Sequence, residues 1–302
     1  MKLFTLYVSY VKDYVYLQHF SDIIKRLPFF DNANIGFDGW FCKDVEMPSV
    51  RDAPIQSLGI PVWKHEYHKT PHGERCYELL EQAETDIVFI VDSDFFCTDE
   101  RLWKDALNQF ANPDVYMVSL SDYPWHGMSN FPSTPFSAYR RKEVLEYIPV
   151  KKLWNHFGKV WPELKQPVFD YMKFVYFSLY INGHTYCIDS IAPRQSTKYQ
   201  FYHLWDSRDT PEENFRRFDK DPGLTTFLMF GLCKFFFRMI REGNRVIPDF
   251  IWVYIDRMRS DGYPYCYLVD FFNRFESQIY FNLPWVETFK AIRQQWENRA
   301  KA

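Results

Sequence analysis

The stretch Asp86-Ile87-Val88-Phe89-Ile90-Val91-Asp92-Ser93-Asp94 decides the fold. Five apolar residues run unbroken from Ile87 to Val91, and Ile87, Val88, Ile90 and Val91 are β-branched. A run this short and this apolar predicts a strand buried on both faces, as in an α/β sheet. The strand then delivers two carboxylates, Asp92 and Asp94, to its C-terminal edge, where open α/β sheets bind ligands. Residues i and i+2 share a face of an extended chain, so both carboxylates can address one cation. A hard divalent ion such as Mg²⁺ or Mn²⁺ takes oxygen ligands and holds phosphates with one or two carboxylates. Acidic residues also follow strands merely because turns are solvated. The sharp strand-to-Asp-x-Asp junction favours the cation.

The pattern on either side extends the sheet. Residues 3–10 alternate and predict a first strand. A helix over 13–27 follows from the spacing of Val15, Leu17, Phe20, Ile23, Ile24 and Leu27, and Pro28 ends it. Further strands are expected at 33–37, leading to Asp38-Gly39, and at 60–63, with a loop across 40–58. Helices are expected at 74–83 and 100–110, with a buried strand at 114–120. This alternation predicts an α/β fold with a mainly parallel sheet covered on both faces. Residues 121–136, rich in Pro, Ser, Trp and Gly, read as a loop. Beyond it come a strand at 136–140, a helix at 141–147, a helix at 169–181 stopped by Asn182-Gly183, and a strand at 185–188. From Thr210 helical spacing dominates, at 211–218, 224–242, 247–259 and 285–300. The expected organisation is a catalytic domain at 1–209, its halves about 1–120 and 121–209, and a C-terminal helical appendage at 210–302.

Composition narrows the functional classes. The chain has 302 residues, and its 47% hydrophobic content supplies a sizeable core. A net charge of -3 argues against a protein held to nucleic acid by bulk charge, though not against a local basic groove. Aromatic residues reach 20%, so most must be core. Cys42, Cys76, Cys97, Cys187, Cys233 and Cys266 are scattered, with no Cys-x-x-Cys pair. The residues from Met1 to Leu6 lack the pattern of a secretory signal, and no run reaches the roughly 20 apolar residues of a transmembrane helix. The expectation is a cytoplasmic protein with free thiols and no transmembrane segment.

The order of elements resembles a known family. Asp38 ends a second strand, an apolar strand ends in Asp92-Ser93-Asp94, and Phe169-Asp170-Tyr171 precedes a helix ending Asn182-Gly183-His184. A strand and Tyr202-His203-Leu204 follow. Over about residues 1–208 this resembles the GT-A fold of nucleotide-sugar-dependent glycosyltransferases, especially the inverting type. The resemblance implies that Asp94, with Asp92, binds Mn²⁺ or Mg²⁺, that His203 is the third ligand, and that the ion holds the donor diphosphate. The chemistry agrees, because charge accumulates on the leaving group and a divalent cation offsets it. Standing alone, His203 reads more simply as a capping or surface histidine beside aromatic residues.

The same resemblance makes Asp170 the general base that deprotonates the acceptor hydroxyl. The family's Glu-Asp pair is here Phe169-Asp170, and Asp before an apolar helix is also a favoured N-cap. Asp122 is the next candidate base. For the nucleotide, the resemblance points to Tyr7 and Ser9 at the end of the first strand, to Ser93 within the motif, and to Asp38 as the reader of the uracil N3–H. A UDP-sugar is therefore the expected donor. Lys64, His65, His68 and Lys69 form a cationic group that could meet phosphate or base, and Arg75 opens the next helix; each is also an ordinary solvated charge. On the acceptor side, Tyr123-Pro124-Trp125-His126 and the stretch from Trp154 to Trp161 are candidate stacking aromatics. Arg140, Arg141, Lys142, Lys151 and Lys152 form a basic cluster that could touch an anionic acceptor. The acceptor is a glycan, or a modified nucleic acid base such as the hydroxymethylated DNA base of some bacteriophages.

Three other readings compete. A nucleotidyltransferase would also use Mg²⁺, but it calls for a Gly-rich loop after the first strand, and Val8 to Asp13 contains no glycine. A phosphatase of Asp-x-Asp type places its motif near the N-terminus, with Thr or Val after it; here Phe95-Phe96 follows. A non-catalytic binding protein on the same scaffold is the last alternative, and the presence of Asp94 and His203 speaks against it.

Overall fold

The computed structural model describes residues 2–11, 14–40, 54–68, 70–121, 130–155, 172–191, 198–204, 210–223, 225–260 and 266–301. Its centre is the apolar strand of the opening stretch, Ile87–Asp92 (β4), whose first five residues are buried. Phe4–Val11 (β1) lies parallel to it on one side, and Ala33–Trp40 (β2) and Lys64–His68 (β3) continue the parallel set outward. On the other side come Pro132–Arg140 (β7), antiparallel to β4, then Met117–Ser121 (β6) and Thr185–Ser190 (β8). The order is β3-β2-β1-β4-β7-β6-β8, and Phe95–Phe96 (β5) pairs separately with Tyr202–His203 (β9). A mainly parallel α/β sheet is therefore what the chain forms, and β4 is its middle strand.

Helices Tyr14–Arg26 (α1), His72–Gln82 (α3), Glu100–Gln109 (α4), Arg141–Tyr147 (α5) and Lys173–Ile181 (α6) join these strands, with a short helix Pro54–Ser57 (α2) between β2 and β3. One core joins Tyr7, Val88 and Ile90 of the sheet to Leu79 and Leu80 of α3 and Val175 and Leu179 of α6. The opposite core is aromatic. Trp103 of α4 is fully buried and meets Phe30 at 5.0 Å, Phe136 at 5.2 Å and Phe89 at 5.9 Å between ring centroids. Such edge and tilted contacts add about 0.5–1.5 kcal/mol each beyond area burial. Gly183, at φ 74°, ends α6 in the left-handed conformation that glycine adopts without strain, as Asn182-Gly183 signalled.

Several boundaries differ from expectation. The third strand is not 60–63 but β3, Lys64–His68. Pro61 has no N–H for a ladder, and contact with β2 begins only at Trp63, whose N–H donates to the Ile35 carbonyl at 2.7 Å while its ring packs on that of Tyr7, 6.0 Å away. An edge strand half open to water tolerates the polar run Lys-His-Glu-Tyr-His. β2 runs on to Trp40, and β7 begins at Pro132, inside the stretch read as loop.

The chain divides into two compact units: Met1–Phe95 with Asp99–Tyr199, and Phe96–Thr98 with Gln200–Ala302. The second is built from Pro211–Lys220 (α7), Thr225–Glu242 (α8), Asp249–Ser260 (α9), Cys266–Ile279 (α10) and Leu283–Lys301 (α11). Helix α10 escaped the sequence reading, which placed no element between 259 and 285. A capping box starts α7: the Thr210 hydroxyl accepts from the Glu213 N–H, and the Glu213 carboxylate accepts from the Thr210 N–H at 2.6 Å. The short segments Phe96–Thr98 and Gln200 onward belong to this helical core. Phe96 meets Phe275 at 5.6 Å and Phe237 at 5.9 Å, and Tyr202 meets Phe275 at 5.4 Å. The Thr98 N–H donates to Oε1 of the fully buried Gln278 at 2.9 Å. Among the described residues, no helix is long and apolar enough to cross a membrane.

Candidate active site

Strand register assembles the site. Ser9 of β1 stands opposite Asp38 of β2 and Asp92 of β4, and Asp38 stands opposite Glu66 of β3. One row of polar side chains thus crosses four parallel strands near their C-terminal ends, after long apolar stretches of β1 and β4. The row continues into the motif, because the Ser93 N–H donates to the Ser9 carbonyl at 2.8 Å. Ser9, Ser93 and Asp94 are buried and Asp92 is half-buried.

Asp92 and Asp94 bring carboxylate oxygens within 4.8 Å of each other. Two converging carboxylate oxygens suit a hard divalent ion such as Mg²⁺ or Mn²⁺. His203, of β9 in the second unit, is buried.

The second feature is an ion network at the ends of β2 and β3. Arg75 of α3 donates from Nε to Asp38 at 2.8 Å, from Nη2 to Glu66 at 2.6 Å and from Nη1 to Glu78 at 3.0 Å. Its side chain is 5% exposed and that of Asp38 2%. Lys64 reaches Glu66 at 3.0 Å, and Lys151 binds Glu78. Three cations thus face three carboxylates. Burial works against the charge of Glu66, but hydrogen bonds from Arg75 and Lys64 outweigh it and hold this carboxyl below its usual range. Glu78 is lowered in the same way, against burial, by Lys151 and Arg75. Arg75 is driven further up despite its burial, by Asp38 first and then Glu66 and Glu78.

The other sequence-selected residues fall into place unevenly. Tyr7 is 1% exposed and packs against Gly36, where an added Cβ would sit 2.7 Å from its ring. Burial pushes its phenol up, and among the described residues no hydrogen-bond partner reaches its hydroxyl. Lys64 and His65 do not follow the third strand but form part of it. Lys64 also donates to Gln82 at 2.8 Å, and His65 bonds the Tyr10 hydroxyl at 2.9 Å. The basic cluster is largely spent on structure. Arg140 donates to the carbonyls of Val115, Phe110 and Asn112, and Arg141 donates to that of Ala83 at 2.8 Å. Trp154 is no stacking surface: it is fully buried, and its carbonyl lies 2.0 Å from any Cβ placed on Gly73. Asp170, Asp122, Lys69, the 123–126 stretch and residues 156–161 lie outside the described residues. Helix α6 opens at Lys173 with Met172 in the N-cap position and no side-chain cap. Sequence reasoning missed Glu66 and Glu78 as partners of Arg75. Their only signal was the i, i+3 spacing of Arg75 and Glu78.

No protein-family model matches this sequence, and no curated protein matches it. Solved structures do match. The mannosyltransferase PcManGT of Pyrobaculum calidifontis, in complex with GDP-Man and Mn²⁺, is 14% identical, with a TM-score of 0.45 over 96% of this chain and 73% of that one. Glucosyl-3-phosphoglycerate synthase of Mycobacterium tuberculosis, with Mn²⁺, UDP-glucose and phosphoglyceric acid, is 11% identical, with a TM-score of 0.44 over 76% and 80%. Staphylococcus aureus TarS in complex with UDP-GlcNAc is 15% identical, with a TM-score of 0.40 over 78% and 66%.

Proposed function

We propose that this chain is a metal-dependent glycosyltransferase that moves a sugar from a nucleotide diphosphate sugar to a hydroxyl acceptor. The observation that carries the reading is the convergence of Asp92 and Asp94 at the C-terminal edge of the central strands, beside the Ser9–Asp38 row. Asp94 and His203 would hold Mn²⁺ or Mg²⁺, with Asp92 completing the set or meeting the ribose. The ion, when bound, supplies positive charge against the departing diphosphate. Ser9 and Ser93 would supply hydrogen bonds to ribose and phosphate oxygens, and Tyr7 would pack beneath them.

Asp38 and Arg75 favour uracil. Uracil presents one N–H donor between two carbonyl acceptors; a carboxylate accepts the first and a guanidinium donates to the others. The donor is then a UDP-sugar. Asp170 is the base that accepts the acceptor's proton, giving inversion in one displacement. The acceptor is a glycan or a hydroxymethylated nucleic acid base. The cytoplasm is its compartment, a placement supported by Cys76, Cys97, Cys187 and Cys233, which are free thiols.

The test is a panel of UDP-, GDP- and CDP-sugars with Mn²⁺, Mg²⁺ or EDTA, scored by thermal shift and by nucleotide release. Stabilisation by UDP-sugars that depends on the metal, with UDP released, is expected. Pyrophosphate released from UTP and a sugar phosphate would instead make the chain a nucleotidyltransferase. Preference for GDP or CDP would remove Asp38 as the base reader while leaving the metal assignment standing.

A further inference from the structure

The helical unit carries a feature that the proposed transfer leaves unused. An open cavity of about 530 Å³ lies between the end of α8 and the start of α9. Phe235, Met239, Val246 and Pro248 give it an apolar lining, and Arg238, Arg245 and Glu242 give it charge. Its wall is fixed from several sides. Arg238 stacks on the Phe235 ring at 5.0 Å and donates to Glu212. Gly243, at φ 73°, turns the chain out of α8, and the Asn244 N–H closes the turn on the Met239 carbonyl at 2.8 Å. Gln295 of α11 grips the same turn: its Nε2 donates to the Arg245 carbonyl, and its Oε1 accepts the Ile247 N–H at 3.1 Å.

Apolar surface continues out of this cavity. Ile251, Ile255 and Met258 bury the inner face of α9, while Val246, Phe250 and Val253 stand outside at 75%, 50% and 66% exposure. Phe250 joins that stripe to the cavity, because its ring meets Phe235 edge-on at 5.5 Å. A helix that has already buried one apolar face gains nothing in folding by showing a second to water. The neighbouring carboxylates already face cations: Glu212 binds Arg238, Glu242 lies 3.7 Å from Arg241, and Asp249 acts on Arg299. Arg245 is exposed and pairs with no carboxylate among the described residues. An apolar stripe beside an uncommitted guanidinium matches a surface with negative charge outside and hydrocarbon beneath. We propose that this face of α8 and α9 docks the protein on an anionic lipid bilayer, with Val246, Phe250 and Val253 at the acyl boundary and Arg245 and Arg238 at the phosphates. One membrane signal alone gives marginal, reversible binding, and here an apolar and a basic signal adjoin. A soluble anion would fill the cavity and leave Val253 in water.

The experiment sediments the full chain with vesicles of phosphatidylcholine, alone or mixed with phosphatidylglycerol. The mixed vesicles should retain the protein, added salt should release part of it, and phosphatidylcholine alone should retain much less. Val246→Ser combined with Val253→Ser should weaken retention about tenfold or more. Its Tm should not change, because both side chains already stand in water. Arg245→Gln should weaken retention about fivefold, the share of one basic residue near an anionic surface. Lys142→Gln removes the same charge from the sheet unit and should have no effect; a loss equal to that of Arg245→Gln means bulk charge alone and overturns the proposal. Absence of retention by the mixed vesicles overturns it directly. Inorganic phosphate bound in an Arg245-dependent way, without vesicle retention, makes the cavity a soluble-anion site and overturns it too. So does a dimer in sedimentation velocity that Val253→Ser breaks, without vesicle retention, since the stripe then meets a second copy of the chain. Vesicle retention is read without any transfer assay, so it stands or falls apart from the metal site.

Discussion

Arg75→Met is the substitution whose cost the structure sets most clearly. Methionine keeps the unbranched stem and removes the guanidinium. Three carboxylates then lose a partner, but not equally. Glu66 and Glu78 have side chains 35% and 23% exposed, so water replaces much of what they lose. Each of those bonds contributes about 0.2–1 kcal/mol on the scale of surface pairs. Asp38 is 2% exposed, so water replaces little of what it loses. Breaking a buried ion pair by removing one partner costs about 3–5 kcal/mol, and this loss dominates. For a domain of 150–250 residues, at about 2–4 °C per kcal/mol, the expected fall in Tm is about 6–20 °C. The assay is urea unfolding followed by circular dichroism, with Glu66→Gln and Glu78→Gln as graded comparisons. Both should lose about 1 kcal/mol or less. Adding Asp38→Asn to Arg75→Met should recover at least half of the loss, because a neutral amide needs no counter-ion. The pH dependence has a fixed sign. Glu66 and Glu78 are held below their unfolded values, so their contribution is present above about pH 4.5 and is lost as pH falls through the carboxylate range. Arg75→Met should flatten that acid limb. A loss under about 1 kcal/mol, or a double variant no better than the single one, would refute the reasoning.

Asp94→Asn removes a full charge from the proposed coordination set. It should lower transfer by a few powers of ten, since metal stabilisation of a leaving group contributes several kcal/mol; full activity in EDTA rejects the site outright. Asp170→Asn should abolish most transfer while leaving Mn²⁺ and UDP affinity nearly unchanged, because the lost interaction belongs to the transition state. Proton NMR of the product's anomeric centre checks the same residue: a retained configuration removes Asp170 and makes Asp122 next to test. His19 of α1 is 2% exposed, and burial pushes its imidazole down to about 3. The unfolded chain then binds an extra proton below about pH 6.5, costing up to about 1.4 kcal/mol per pH unit. His19→Leu should reduce the slope of stability between pH 6.5 and 5, and an unchanged slope would contradict this.

The sheet was legible because its central strand is unambiguous. Ile87–Val91 is too apolar for an edge and too short for a helix, and the side chains on either face of it are the core. Helix ends with a local chemical signal, such as Pro28 and Asn182-Gly183, were legible too. The third strand was not, because edge strands need no apolar signature: Ile60 to Trp63 is the more apolar stretch, while the pairing partner of β2 is a polar run. Helix α10 failed for a related reason. Its apolar residues Leu268, Phe271, Phe272 and Phe275 have helical spacing, but they sit in a stretch whose aromatic content is high throughout. At the site, sequence fixed the residues that carry a motif and was silent on their supports. Nothing in the chain text connects Asp189 to Lys198 or Thr98 to Gln278, because such pairs are made by tertiary folding alone.

The same distinction orders the carboxylates along the C-terminal edge of the sheet. Asp38 faces a guanidinium at 2.8 Å, so its carboxylate holds a charged donor in place. Asp189 faces backbone N–H groups and ties the end of β8 to Lys198. Asp92 and Asp94 bring two carboxylate oxygens together, an arrangement that suits a cation. A general base needs something none of these provides: a carboxylate that neither neutralises a fixed cation nor accepts fixed N–H donors, and so keeps a lone pair for an incoming hydroxyl. Each described carboxylate of the edge row already has another task. On the proposed transfer, the acceptor's proton would go to a residue beyond the row, which is the physical reason to test Asp170 first and Asp122 second.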